Sequence, residues 1–282
     1  MTACSENICK EIRKQIFIVA QRGGLAHLAS SFSCVEILYT LYMKDILKYD
    51  LANPEDLSRD RIILSKGHGG LALYSVMVRC GLLPAERLQG FLVEEIGLGG
   101  EPCRRDSEWI EASTGSLGHG LPMGVGMALA QKMDQNGAKT YVVMGDGECE
   151  EGTIWEAAMA AATFHLDNLV TIIDCNNLQK MVSVVETIGD NNWKQRFESF
   201  GWAVTEVDGH SVEELEVAFR TENTTNKPLL IIAHTIKGKG VSIMENNPIW
   251  HFKLPNKKER KVFQEELEVT NEELENYAKS VH

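Results

Sequence analysis

Apolar residues at the start of the chain recur at helical spacing. Ile8, Ile12, Ile16 and Val19 share one face and Gly23-Gly24 supplies a stop, so the pattern predicts a helix from Ser5 to Ala20. A polar turn with His27 and Ser30-Ser31 follows. The same test predicts a second helix over Val35 to Met43, with Asn53-Pro54 punctuating the loop after it. From Asp60 to Ser65 the pattern becomes a short apolar run, DRIILS, of the kind that forms a buried strand. It runs into Lys66-Gly67-His68-Gly69-Gly70 and a predicted helix from Leu71 to Cys80, whose positive N-terminus and flanking glycines suit an anion. Gly81 to Glu111 is less regular and reads as a helix followed by a long surface loop. Ala112 to Ala130 is glycine-rich first and then a small-residue helix, in which Gly124, Gly126, Ala128 and Ala130 permit close packing.

The most regular stretch runs from Lys139 to Gln179. It reads as a strand, the turn Gly145-Asp146-Gly147, an alanine-rich helix from Thr153 to His165, a second strand from Leu169 to Asp174, and a polar turn at Asn176-Asn177. A helix without internal Gly or Pro between two apolar strands suits a crossover on a parallel sheet. The alternation continues through a strand at Trp202 to Val207, a helix at Val212 to Arg220 and a strand at Leu229 to Ala233. The expected fold is therefore α/β, a parallel sheet flanked by helices. From Lys257 onward the alternating charges read as a solvated helical end.

Composition narrows the function. With 282 residues, 44% of them apolar and 24% charged, the chain can bury a large core. A net charge of -12 argues against a surface for polyanions, so any phosphate it binds is small and held locally. Seven cysteines, an odd number without a CxxC pair, fit reduced thiols better than disulfides or a zinc site. The longest apolar run near the start, Ile16 to Ala20, is too short for a signal or spanning segment, and a cytoplasmic location is expected.

In a parallel sheet, ligands bind beyond the carboxyl ends of the strands. Asp146 and Asn176 each follow a strand of the central unit, thirty positions apart, so the fold brings their turns together. A hard cation such as Mg²⁺ takes about six oxygens, and Asp146, Asn176 and the Leu178 carbonyl could supply the protein's share. Gly145 and Gly147 leave room for phosphate. Alone, each fragment is no more than a turn; the joint spacing is what points to a metal diphosphate.

The pair Gly145-Asp146-Gly147 and Asn176-Asn177, with 28 residues between, resembles the thiamine diphosphate motif. The surrounding words resemble the N-terminal part of transketolase. They are SKGHGG (Ser65 to Gly70), EASTGSLGHG (Glu111 to Gly120), EGTIWEAAMAAA (Glu151 to Ala162), EVDGH (Glu206 to His210), AHTIKGKGVSIMEN (Ala233 to Asn246) and Trp250-His251. The similarity runs in order from residue 8 to residue 255, and the best likeness is to the N-terminal subunit of split transketolases. The resemblance implies a thiamine diphosphate domain of the diphosphate-binding (PP) type over residues 1–255, with a helical tail over 256–282. It implies that Asp146, Asn176 and Leu178 hold Mg²⁺, that Gly145, Gly147, His68 and His251 lie at the diphosphate, and that Gly115 and Leu117 line the aminopyrimidine side. His27 matches a substrate-facing histidine, and Glu151 a glutamate between the two cofactor sites of the assembly. Histidines such as His27 and His68 suit proton movement near neutral pH. The implied reaction transfers a two-carbon ketol unit from a ketose, or its phosphate, to an aldose.

The resemblance also implies a partner. The family activates its cofactor with a glutamate on a pyrimidine domain, and this chain reaches His282 without a second αβ series. A separate pyrimidine-domain subunit in an α2β2 assembly is expected. Three places depart from the family: Glu101 stands where a histidine is usual, His119 where a glutamine is, and Lys180-Met181-Val182 replaces a small glycine-containing turn. Phe252 likewise replaces a glycine after His251. A carboxylate accepts hydrogen bonds and repels anions, so a specialised enzyme with a non-standard donor, an acyloin type or a 2-oxo acid, is an alternative. So is a non-catalytic scaffold or regulatory subunit, although the retained Asp146, Asn176, His27 and His68 speak against it. A decarboxylating dehydrogenase component and a deoxyxylulose-phosphate synthase share the cofactor motif but not the other words. A nucleotide-binding oxidoreductase is weaker, because no GxGxxG follows a strand.

Overall fold

Every strand of the apolar pattern enters one parallel sheet. In the computed structural model, which describes residues 3–92, 97–180, 182–189 and 191–279, these are β1 (Arg61–Leu64), β2 (Thr140–Gly145), β3 (Leu169–Cys175), β4 (Ala203–Asp208) and β5 (Leu229–His234). Their spatial order is β1-β2-β3-β5-β4, all pairs parallel. The helices are α1 (Ala3–Gly23), α2 (Leu28–Ser33), α3 (Val35–Met43), α4 (Gly70–Arg79), α5 (Ala85–Gln89), α6 (Gly120–Asp134), α7 (Gly152–Thr163), α8 (Val184–Ile188), α9 (Trp193–Ser199), α10 (Val212–Arg220), α11 (Lys257–Glu266) and α12 (Asn271–Lys279).

Strand side chains alternate between two apolar clusters, as buried parallel strands require. Tyr141, Val143, Ile172 and Ile231 pack with Ile12 and Ile16 of α1, Leu38 of α3, Leu71 of α4 and Leu215 of α10. Val142, Met144, Ile173 and Ile232 pack on the other face with Leu121 of α6, Ala158 of α7 and Phe197 of α9. Each fully buried Val, Leu, Ile, Phe or Met side chain among them contributes roughly 1.5–3 kcal/mol. Gly124 earns its place here, because a Cβ on it would collide with Val142 Cγ2. Gly126, by contrast, faces open space.

The expected α/β fold is present, with three local differences. The polar turn after α1 contains α2, all of whose residues are buried; tertiary packing of Leu28, Ala29 and Phe32 outweighs a sequence too short to show periodicity. The polar stretch before β4 contains α8 and α9. Ser183 and Glu186 form a reciprocal capping box at α8, and Asn192 Oδ1 accepts the Gln195 N–H at 3.0 Å to cap α9. The tail is helical but not merely solvated. Phe263 is fully buried and stacks on Phe17 at 5.0 Å between ring centroids, while Lys10–Glu268 and Lys14–Glu273 pair at 2.6 and 2.7 Å along its edge. Among the described residues no helix is long and apolar enough to cross a membrane. Met181, one of the departing positions, lies outside the described residues, as do 280–282.

Register sets the site. Gly145 pairs with Asp174 and Asp174 with Ala233, so β2, β3 and β5 end at one level and their following turns open on the same edge. The segment after β1 joins them, since Ser65 N–H donates to the Val143 carbonyl at 2.7 Å.

Candidate active site

The turn after β2 buries Asp146, which is 2% exposed. Its Oδ1 accepts the Gly147 N–H at 2.8 Å and its Oδ2 accepts the Asn177 N–H from the turn after β3. Asn177 adopts a left-handed conformation, with φ of 60°, that Asn tolerates well. The two turns predicted to meet are thus joined through one carboxylate. Asn176 Oδ1 accepts the Leu178 N–H at 3.2 Å. Burial and the nearby Asp174 carboxylate push the Asp146 carboxyl up to about 7, against the pull of its two N–H donors and Lys237.

Beneath these turns lies a second layer of charge. Asp174, fully buried at the end of β3, pairs with Lys66, 1% exposed in the turn after β1. The carboxylate also accepts from Ser33 Oγ at 2.6 Å and from Thr235 Oγ1, and Lys66 Nζ donates to the Ser30 carbonyl at 2.9 Å. Burial alone would raise the Asp174 carboxyl; Lys66 and these hydroxyls hold it below the usual carboxylate range. Lys237, in the segment after β5, donates from Nζ to the Leu178 carbonyl at 3.0 Å and to the Gln179 carbonyl at 2.8 Å. Burial and Lys66 lower its ammonium to about 8.

Glu148 ties neighbouring segments together. It accepts from Ser65 Oγ, from Gly118 N–H at 2.9 Å and from Gly145 N–H at 3.1 Å. The Gly115 to Leu117 loop is thereby held against the strand ends. Gly115 has a φ of 141°, and a Cβ there would collide with the carboxylate of Glu101. Only glycine serves at that position.

Three imidazoles close the other side. The ring centroids of His27 and His68 are 5.4 Å apart, His27 and His251 5.2 Å, and His68 and His251 5.8 Å; Phe252 lies 4.6 Å from His27. Burial and then Lys237 lower His27 and His251 to about 4 each. Burial and then Lys66 put His68 well below its ordinary value. The sequence suggested histidines suited to proton movement near neutrality; burial and the two lysines favour the neutral imidazole, a donor at one nitrogen and an acceptor at the other.

Of the residues singled out from sequence, His27, His68, Gly115, Leu117, Gly145, Asp146, Gly147, Asn176, Leu178 and His251 line one cavity of about 290 Å³. Glu151 does not. It is exposed at the N-cap of α7, without a side-chain cap bond, and only its alkyl part packs over Gly118. His119 is exposed, with Nδ1 3.0 Å from the Leu117 carbonyl. Sequence reasoning missed Lys66, Glu148 and Lys237 as cavity residues. The signal for Lys66 and Lys237 was a lysine among glycines just after a strand; Glu148 had none.

Among the described residues no group of three or more His, Cys, Asp or Glu is arranged to hold a metal. The local donor set is instead one carboxylate, one side-chain amide and one carbonyl, all oxygen, which suits Mg²⁺ completed by phosphate and water. Two observations favour a cation there. Asp146 is buried without a salt bridge among the described residues, and the Leu178 carbonyl already attracts the Lys237 ammonium. These residues fit the ion.

A family model described as transketolase, thiamine diphosphate binding domain, matches residues 5–272. The chain is 40% identical over 270 residues to one of the subunits of the apulose-4-phosphate transketolase of Phocaeicola vulgatus, covering 95% of this chain and 94% of that protein. It is 38% identical over 246 residues to a 6-deoxy-6-sulfo-D-fructose transketolase subunit of a Clostridium species, covering 85% and 87%. Human transketolase is 36% identical over 245 residues, where the match covers 86% of this chain but 39% of that protein. The crystal structure of transketolase from Campylobacter jejuni superposes with a TM-score of 0.87 at 28% identity, covering 98% of this chain and 46% of that one. The chain therefore spans less than half the length of these last two proteins.

Proposed function

Because this chain belongs to the transketolase family of transferases, through its thiamine diphosphate-binding domain, we propose that it is the diphosphate-binding subunit of a two-chain transketolase. In this reading it transfers a two-carbon ketol unit from a ketose or ketose phosphate to an aldose, in an α2β2 assembly in the cytoplasm. The reading assigns residues 1–255 to the cofactor domain and the rest to a C-terminal tail, of which α11 (Lys257–Glu266) and α12 (Asn271–Lys279) are helical. The observation that carries the reading is the convergence of Asp146, Asn176 and the Leu178 carbonyl with Lys66, Lys237 and the histidine cluster in one cavity at the sheet edge.

Thiamine diphosphate, when bound, supplies the carbon–carbon chemistry. Asp146, Asn176 and Leu178 would hold Mg²⁺, and Lys237 and His68 would face the diphosphate, with Gly145 and Gly147 leaving room for it and His251 beside it. Gly115 and Leu117 would line the aminopyrimidine side. His27 and His68 would hold and pass protons at substrate oxygens through their ring nitrogens, and negative charge from a diphosphate would make each imidazole a better proton holder. Glu151, exposed at the start of α7, is left to meet the second cofactor site across the assembly. The partner subunit would supply the pyrimidine domain and its activating glutamate.

A second reading, a specialised donor, draws support from Glu101 in the cavity wall and from relatives that are themselves transketolase subunits for unusual sugars. The test is reconstitution. The chain alone should show no ketol transfer, the pair should show it, and Asp146→Ala should abolish Mg²⁺-dependent thiamine diphosphate binding while leaving the pair assembled. Robust turnover by the isolated chain would refute the two-chain reading.

A further inference from the structure

His210 does not line the cavity, but it is buried in the turn after β4 and bonded at both ring nitrogens. Nε2 lies 2.8 Å from the Ile236 backbone nitrogen, and Nδ1 lies 2.9 Å from Glu36 Oε2. A backbone amide can only donate, so Nε2 is the acceptor and the ring proton sits on Nδ1, where the Glu36 carboxylate accepts it. Glu36 is fixed in turn by Arg13, which grips both carboxylate oxygens at 2.7 Å and donates to the Phe32 carbonyl at 2.9 Å. The tautomer and orientation of the ring are thus set from α1 and α3. What the ring holds is the segment after β5. Thr235 N–H donates to the Cys175 carbonyl at 3.0 Å, Ile236 N–H to His210, and Gly238 N–H to the Ala29 carbonyl at 3.0 Å. Of these three anchors, His210 is the one supplied by a side chain. Lys237 sits between the last two, buried, with its ammonium on the Leu178 and Gln179 carbonyls.

We propose that His210 is a positioning residue for Lys237: through Nε2 it fixes the stretch of backbone from which the lysine reaches the turn after β3. The inference rests on the cofactor reading of the cavity and assigns a residue outside it. Two substitutions divide the ring's functions. His210→Gln places an amide oxygen as far from Cβ as Nε2 is, so it accepts from Ile236 but leaves the Nδ1 position empty. His210→Asn does the reverse, with an amide N–H for Glu36 and no acceptor for Ile236. Each variant loses one hydrogen bond, so a purely structural role makes them alike.

The experiment has two arms. In the first, the full chain assembled with its partner is titrated with thiamine diphosphate in Mg²⁺ by calorimetry. In the second, the full chain without cofactor is treated with acetic anhydride, and acetylation of Lys237 is timed by mass spectrometry, with buried Lys66 as the control for unfolding. His210→Asn should weaken binding about tenfold and speed Lys237 acetylation about as much, while His210→Gln stays within about twofold of the wild type in both arms. In a Lys237→Met background, His210→Asn should weaken binding by less than about twofold more, because the two residues act through one contact. Equal losses of affinity in the two variants, or additive losses on Lys237→Met, overturn the proposal. Acceleration at Lys66 as large as at Lys237 marks a global effect and also overturns it. Absent cofactor binding by the wild type, with the Asn-against-Gln contrast in acetylation retained, overturns the cofactor reading and leaves the positioning standing. Equal acetylation in both variants overturns the positioning.

Discussion

Removing the cation from the buried pair under the site should be costly, and removing both charges should not. Lys66 and Asp174 are 1% and 0% exposed, so Lys66→Met leaves a carboxylate in the interior with only the Ser33 and Thr235 hydroxyls for company. Breaking such a pair from one side costs about 3–5 kcal/mol, which for a chain of this size lowers the thermal midpoint by on the order of 10 °C. Asp174→Asn placed in the Lys66→Met background removes the stranded charge, keeps an oxygen for the two hydroxyls, and should recover most of the loss. A urea-denaturation double-mutant cycle reads the coupling directly. The pH dependence has a definite sign. Without Lys66, burial holds the folded carboxyl above its unfolded value, so folding takes up a proton and Lys66→Met gains on the wild type as pH falls from 7 to 5. A cost below about 1 kcal/mol with no rescue by Asp174→Asn would refute the argument.

Glu36 offers a second pH test, away from the cavity. Burial would raise its carboxyl, but Arg13 in a two-pronged contact at 2.7 Å and His210 at 2.9 Å hold it at about 2. The folded pKa is depressed, so the stabilisation is complete above the unfolded carboxyl pKa and fades as pH falls toward 2. Glu36→Gln should cost about 3 kcal/mol at pH 7 and progressively less below pH 4, measured by thermal unfolding. A constant gap across that range would contradict the assignment. Lys237→Met withdraws the ammonium from the Leu178 and Gln179 carbonyls and from the cavity floor. Thiamine diphosphate binding in the presence of Mg²⁺, measured by calorimetry, should weaken about tenfold or more; unchanged affinity would remove Lys237 from the cofactor site.

Much of the frame was legible because its signals are local. The strand, turn, helix and strand from Lys139 to Gln179 carry their own periodicity, and a parallel crossover leaves both turns at the same edge. Asp146 and Asn176 therefore met as expected. What stayed hidden depends on distance or on length. Asp174 reads as the polar end of a strand until Lys66, 108 positions earlier, is placed beside it. Lys237 reaches the Leu178 carbonyl across 59 positions. α8 and α9 are too short to show a face, although the Ser183 and Glu186 caps were readable in principle. The tail's charges concealed Phe263, a single aromatic whose burial against Phe17 decides where α11 lies.

The buried charges fall into two groups with different consequences. Asp174 and Lys66 satisfy each other and hold β1, β3 and the segment after β5 at one level, which is a structural task. Asp146 and Lys237 are held by backbone groups rather than by each other: amides on the carboxylate, carbonyls on the ammonium. Each is then crowded by a charge of its own sign, Asp146 by Asp174 and Lys237 by Lys66. A lone cation relieves the first and opposes the second, and a lone phosphate does the reverse. A metal diphosphate relieves both at once, because it brings both signs in one ligand. That asymmetry is why the two turns and Lys237 make sense as a single site, and why metal and cofactor should each strengthen the binding of the other.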